Sequence, residues 1–212
     1  MDSTLRSLTL GDIRLFQMEN MDGFPRLTCS VLTEFHQQLD DLLEAPKERT
    51  EPIRAIVITG TTQAFAAGAD INEINALTAL EALRFSALGQ SLMNKIERSR
   101  IPVIAAIRGY CFGGGLDLAL ACHTRIAAAD SSFAHPGGKI GIITGWGGTA
   151  RLPRLIGRSR AFDMFSTART VSAAEAFSLG LIRRVVAPEE VLQQAFEFVR
   201  TRDSQTSAVV PN

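Results

Sequence analysis

The feature that most constrains this chain is a run of three glycines, Gly113-Gly114-Gly115, joining an apolar β-rich stretch to an apolar helical one. Residues 102–107 (PVIAAI) read as a buried strand and residues 116–122 as a helix. A glycine within a helix costs about 1 kcal/mol relative to alanine, so three in succession need a reason. A loose hinge is one reading, but an apolar strand feeding an apolar helix argues against it. The run permits a dense set of free amides at a helix N-terminus, where the macrodipole favours negative charge.

A second small-residue loop, Ala64-Phe65-Ala66-Ala67-Gly68-Ala69-Asp70-Ile71, leaves a second apolar run, residues 53–59 (IRAIVIT). A tight turn is the plain structural alternative there. Together the loops bring two backbone amides toward one point, which suits an oxyanion such as a thioester carbonyl becoming an enolate. Neither loop has the spacing of a dinucleotide fingerprint or of a phosphate-binding P-loop with its lysine.

Around these loops strands and helices alternate, which predicts an α/β layered fold. Residues 11–19 alternate apolar and polar as a strand does. Ser30 is placed to cap a helix carrying Val31, Leu32, Phe35, Leu39, Leu42 and Leu43 on one face. A charged surface loop is expected over 45–52, a loop over 60–73 and a long helix over 76–98. Short strands follow over 124–129 and 132–135, then helices over Gly148–Ile156 and Arg158–Thr167. Ser172-Ala173-Ala174-Glu175 has the form of a capping box, with Gly180 as the stop. A strand over 181–187 leads to a last helix opened by Pro188 and a polar, frayed tail after Arg202. The expected division is a core over 1–187 and a short C-terminal helix and tail over 188–212.

Basic and acidic residues balance at 22 each in 212 residues, so no global field favours nucleic acid or an anionic membrane. Cys29, Cys111 and Cys122 have no metal-ligand spacing and are expected as buried thiols in a reducing compartment. The apolar run 101–107 is too short to span a bilayer, and no basic n-region opens the chain; a cytoplasmic location is the expectation.

The stretches FAAGADI (65–71), PVIAA (102–106), GGG (113–115) and GGTARL (147–152) resemble, in order, successive motifs of the crotonase (enoyl-CoA hydratase/isomerase) family. Residues 172–181 resemble its late helix and following strand, and the likeness covers residues 12–198. It implies a crotonase-like spiral of β-β-α units with C-terminal helices, assembled as a homotrimer or dimer of trimers. It implies an acyl-CoA thioester as substrate, with no cofactor and no metal. By position, Ala69 and Gly114 match the residues whose amides form the family's oxyanion hole. Ala67, Gly68, Asp70, Ile71 and Gly113 match stretches that line its acyl-CoA site.

The family's hydratases use two glutamates. The first matches Asp117, an odd residue in the apolar stretch Leu116-Asp117-Leu118-Ala119-Leu120; a first-turn aspartate answering the helix dipole is the alternative. The second matches Gly137, which carries no side chain. His135, two residues earlier and on the same face of an extended strand, is the candidate substitute, since its ordinary pKa suits proton transfer near neutrality; a hydrogen-bonded core histidine is equally consistent. His36 and His123 are weaker candidates. Trp146 either walls the acyl pocket or fills core. The family's early CoA-binding turn is replaced by Phe24-Pro25-Arg26-Leu27, and relatives continue through further helices after the one that Pro188 opens.

The leading expectation is therefore enoyl-CoA hydration. An enoyl-CoA isomerase or acyl-CoA decarboxylase is the second reading, because each passes through the same enolate with fewer acid–base groups. A catalytically silent acyl-CoA-binding oligomer is the third.

Overall fold

A computed structural model describes residues 3–44 and 52–206. The charged loop expected over 45–52 lies almost wholly outside the described residues, as does the end of the tail. The chain opens with a hairpin, β1 (Thr4–Leu10) antiparallel to β2 (Ile13–Glu19), then β3 (Arg26–Leu27) and α1 (Cys29–Glu44). Of these three strands only β2 was expected, whereas the helix was expected and is present. β1 is a sheet edge whose side chains are mostly exposed, so it lacks clean apolar alternation. Thr28, not Ser30, caps α1: its Oγ1 accepts from the Val31 amide at 3.2 Å, while Ser30 lies inside the helix.

The pattern then repeats. β4 (Ala55–Thr59) is followed by β5 (Ala64–Ala66), β6 (Gly68–Ala69), α2 (Ile71–Ala76) and α3 (Ala79–Glu97). The expected 76–98 helix starts at 79 because Thr78 and Glu81 form a capping box there. β7 (Val103–Ile107) leads to β8 (Tyr110–Phe112) and α4 (Gly114–Ala121). β9 (Thr124–Ala128) leads to β10 (Ser132–Ala134), a 3₁₀ turn (Pro136–Ile140), α5 (Gly148–Ile156) and α6 (Arg158–Thr167). β11 (Val171–Ser172), α7 (Ala173–Ser178), β12 (Arg184–Val186), a 3₁₀ turn (Pro188–Glu190) and α8 (Val191–Thr206) complete the chain.

The first strand of each unit joins a six-stranded sheet ordered β1-β2-β4-β7-β9-β12, parallel except for β1–β2. The second strand of the later units joins a smaller sheet, β11-β10-β8-β5, and β3 pairs with β6 in a separate two-stranded sheet. β4, β7 and β9 are buried at every position, which is why β4 and β7 read as continuous apolar runs rather than alternating ones. One face of the large sheet meets the main core with α1, α3 and α4. The other packs Ile13, Val57, Ile104 and Ile126 against Val191, Ala195 and Val199 of α8. The helix assigned from sequence to a C-terminal unit beyond residue 187 thus covers a face of the same sheet, and it runs on past Arg202 to Thr206. Cys111 and Cys122 are buried thiols as expected, but Cys29 is exposed, because it opens α1 on the side away from the core. No helix among the described residues is long and apolar enough to cross a membrane.

Candidate active site

α4 organises the site. Apart from Asp117 it is apolar all round, and it is buried from Gly115 to Ala121, as a central helix must be. Its three glycines answer steric demands rather than supplying a hinge. Gly113 has φ 53°, ψ −120°, a conformation that side-chain-bearing residues rarely adopt. A Cβ on Gly115 would lie 2.5 Å from the Ala66 carbonyl oxygen of β5, and one on Gly114 2.3 Å from Cζ3 of Trp146. The two small-residue loops meet here: a Cβ on Gly68 (φ +107°) would sit 3.4 Å from the Gly114 nitrogen. Gly114 opens α4, so its N–H has no acceptor within the helix.

A cavity of about 680 Å³ opens at this junction, the size of a small-molecule site. Ala67, Gly68, Ala69, Ile71, Gly113, Gly114, Asp117, His135 and Trp146 all line it. Asp70 is the exception among the site residues named from sequence. It caps α2, its Oδ1 accepting from the amides of Asn72 at 2.8 Å and Glu73 at 3.1 Å. An aspartate immediately before a short helix finds those orphan amides before any ligand does. Trp146 is both pocket wall and core: it is 4% exposed and stacks edge-on against Phe85, with ring centroids 5.3 Å apart. Gly89 of α3 leaves it room, since a Cβ there would lie 2.2 Å from its Nε1. His36 and His123 lie elsewhere. The ring of His36 contacts the Leu88 carbonyl at 3.1 Å, and Nδ1 of His123 accepts from the Val103 amide at 2.9 Å.

Asp117 and His135 come together. Parallel pairing of β10 with β8 sets Ala134 beside Phe112, and the Gly113 amide donates to the Ala134 carbonyl at 2.9 Å. The residue after β10 therefore stands over the start of α4. Nε2 of His135 lies 3.7 Å from Oδ1 of Asp117, and neither atom has a hydrogen-bond partner among the described residues. Both side chains are buried, and Phe165 stacks on the imidazole at 4.9 Å. Burial raises the Asp117 pKa to about 6, against the opposing pull of the Thr144 hydroxyl, the Trp146 and Gly148 amides and the Arg151 charge. Burial lowers the His135 pKa to about 4. The expectation that His135 titrates near neutrality is therefore corrected: its imidazole is neutral there, because an apolar pocket disfavours the cation.

Pro136 ends the strand, so the argument that residues 135 and 137 share a strand face also fails. Residues 136–140 form a 3₁₀ turn closed by the Ile142 amide donating to the Gly137 carbonyl at 2.9 Å. A Cβ on Gly137 would lie 2.3 Å from the Ile142 carbonyl oxygen, so the place of the family's second glutamate is filled by backbone. We expect Gly137→Glu to open this turn, lowering stability by about 1–3 kcal/mol without adding turnover. Urea unfolding and thioester assays on the variant test this; a faster enzyme of unchanged stability would show that the turn yields easily.

Sequence reasoning missed the wrapping of Asp117 by residues 144–148. Thr144 Oγ1 donates to Asp117 Oδ2. Gly148 opens α5 beside the carboxylate, where a Cβ would lie 2.1 Å from Oδ1. Arg151 fixes this segment to α3, donating to the Trp146 carbonyl at 3.0 Å, to Asn94 Oδ1 at 2.8 Å and to Glu97 Oε2 at 2.7 Å. The GGTARL motif contains Gly148 and Arg151, but nothing in its spacing announces their target.

Known proteins resemble this arrangement. A family model described as enoyl-CoA hydratase/isomerase matches residues 17–210. The chain is 46% identical over 143 residues to the crotonyl-CoA hydratase of Syntrophomonas wolfei, covering 67% of this chain and 55% of that protein. It is 38% identical over 151 residues to the short-chain-enoyl-CoA hydratase of Clostridium acetobutylicum, covering 71% of this chain and 58% of that protein. In these matches the chain spans little more than half the length of the two curated hydratases. An enoyl-CoA hydratase crystal structure from Bacillus anthracis aligns with a TM-score of 0.85 at 31% identity, over 95% of this chain and 76% of that one. The spiral of β-β-α units is thus the fold of that hydratase.

Proposed function

The chain belongs to the enoyl-CoA hydratase/isomerase family, and from that premise we propose that it hydrates 2-enoyl-CoA thioesters to 3-hydroxyacyl-CoA. The observation that carries the reading is the pair of buried, unsatisfied atoms Asp117 Oδ1 and His135 Nε2, 3.7 Å apart on two residues that line the cavity beside Gly114. One water molecule can bridge such a gap with hydrogen bonds of about 2.8 Å to each.

In this mechanism the thioester oxygen accepts hydrogen bonds from the Ala69 and Gly114 amides. The ionised Asp117 takes a proton from the bridging water as the water oxygen bonds to C3. The electron pair of the double bond moves through C2 onto the thioester oxygen as an enolate, which the two amides stabilise more strongly than they do the ground-state carbonyl. Asp117 then returns the proton to C2, so that H and OH have added across the double bond. Neutral His135 holds the water and carries no charge through the cycle. Ala67, Gly68, Ile71, Gly113 and Trp146 contain the acyl group in apolar surroundings. No step draws on a cofactor or metal. Assembly as a trimer or pair of trimers, a cytoplasmic location and a role in fatty acid metabolism belong to the same reading.

Gly137 favours a second reading. With backbone where the second carboxylate would stand, an isomerase or decarboxylase needs only the enolate and one proton-transfer group. A panel of acyl-CoA thioesters separates the cases. We expect loss of the conjugated enoyl absorbance of crotonyl-CoA and a product heavier by one water. Movement of the double bond or release of carbon dioxide would replace hydration by the second reading. Tight thioester binding without any turnover would leave a silent acyl-CoA-binding protein.

A further inference from the structure

We propose that Thr144 is a positioning residue for Asp117: its hydroxyl holds Oδ2, so that Oδ1 alone faces His135 Nε2 and the reacting atoms. The proposal rests on the acid–base reading of Asp117 and adds to it the element that orients the base.

A carboxylate has two equivalent oxygens and turns easily about its Cβ–Cγ bond. A base that must meet water on one side and C2 on the other needs that rotation stopped. Thr144 Oγ1 donates to Oδ2, whereas Oδ1 has no hydrogen-bond partner among the described residues. The two oxygens are thus unlike in this fold, and Asp117 is among the residues that line the cavity. Thr144 lines it as well, two residues before Trp146.

The other side chains around the carboxylate do not make this distinction. Arg151 of α5 is engaged with the Trp146 carbonyl, Asn94 and Glu97. Cys111 of β8 directs its thiol to the Gly115 carbonyl at 3.6 Å. His135, at the end of β10, stands on the Oδ1 side. The Trp146 and Gly148 amides also favour the charged carboxylate, but as backbone groups that accompany the Thr144 hydroxyl. The hydroxyl at position 144 is the side-chain donor that separates one oxygen from the other. It also favours the ionised form, because its hydrogen bond is made to the carboxylate and strengthened by the charge.

The test pairs Thr144→Val, which keeps the shape and removes the donor, with Thr144→Ser, which keeps the donor. For Thr144→Val we expect kcat on the best thioester to fall about ten- to a hundredfold with KM little changed. The acidic limb of its pH–rate profile should move to higher pH, and Thr144→Ser should restore both. Infrared difference spectra of the unliganded protein, with Asp117→Asn as the blank, follow protonation of the carboxyl without turnover. They should show Asp117 titrating higher in Thr144→Val than in wild type. An unmoved titration and pH profile in Thr144→Val, or equal losses in the Val and Ser variants, would overturn the positioning role. Full activity in Asp117→Asn would instead overturn the acid–base reading beneath it, so the two failures are separate. If Thr144→Val does not fold, a wild-type titration and rate in Thr144→Ser support the proposal, and a shifted one overturns it.

Discussion

Asp117→Asn should remove most turnover, by a factor of about 10²–10⁴, while leaving thioester binding intact and making the folded protein more stable at neutral pH. The rate loss follows because an amide of the same shape cannot accept the proton. The stability gain follows from burial. The folded pKa of Asp117 is raised from 3.8 to about 6, so between those values the folded protein keeps a proton that the unfolded chain has released. Its contribution to stability is complete below pH 3.8 and falls as pH rises through 6, by about 3 kcal/mol. Asparagine has no such dependence. His135 runs the other way: its folded pKa is lowered from 6.5 to about 4, so its contribution is complete above pH 6.5 and is lost as pH falls to 4. In wild type the two trends oppose each other in the same window; in Asp117→Asn the His135 trend stands alone. Thermal unfolding from pH 4 to 7.5 should therefore show the variant gaining on wild type as pH rises. A variant that turns over at near wild-type rate would remove Asp117 from the chemistry, and one no more stable at pH 7 would mean that burial of the carboxylate is fully compensated.

Arg125→Met should lower stability by about 3 kcal/mol or more, although the residue does not line the cavity. Arg125 is buried, and its guanidinium donates to the Leu181 carbonyl at 2.7 Å, Ala119 at 3.1 Å and Cys122 at 2.6 Å. Ala119 and Cys122 lie at the C-terminal end of α4, where the Ala119 carbonyl accepts from the Cys122 amide and a cation suits the dipole. Methionine fills similar space but leaves the Leu181 and Cys122 carbonyls buried without that donor, while the Ala119 carbonyl keeps the Cys122 amide at 3.2 Å. Because α4 carries Gly114 and Asp117 at its other end, thioester affinity should weaken as well. Urea unfolding and calorimetric titration with a non-reacting acyl-CoA measure the two effects. A loss below about 1 kcal/mol would show that water reaches those carbonyls once the guanidinium is gone.

How far the sequence carries can be judged element by element. α5 and α6 have the bounds expected from it, because Gly147 and Gly157 punctuate the chain locally. β4 and β7 were legible as continuous apolar runs, since strands covered on both faces admit little else. The three-glycine run announced a helix N-terminus at close quarters, and Asp117 announced itself as a carboxylate in an apolar helix. β1 was not legible, because an exposed edge strand imposes no pattern on its residues. The role of Asp70 was misplaced because a helix cap and a ligand contact ask for the same side chain.

What the sequence determined by itself, then, is most of the longer elements, the family and the two small-residue loops whose amides the proposed oxyanion hole uses, since these depend on residues near one another in the chain. The tertiary structure decided what surrounds those amides. Asp117 meets His135 only because β10 pairs with β8 in a register that sets Ala134 beside Phe112. Thr144 reaches Asp117 across 27 residues, and the Ile142 backbone closes the place at Gly137. The pKa values of the acid and the imidazole move apart from their ordinary ranges because distant segments exclude water from both. Register, burial and the orientation of a carboxylate are non-local, set by contacts between segments that chain spacing does not encode.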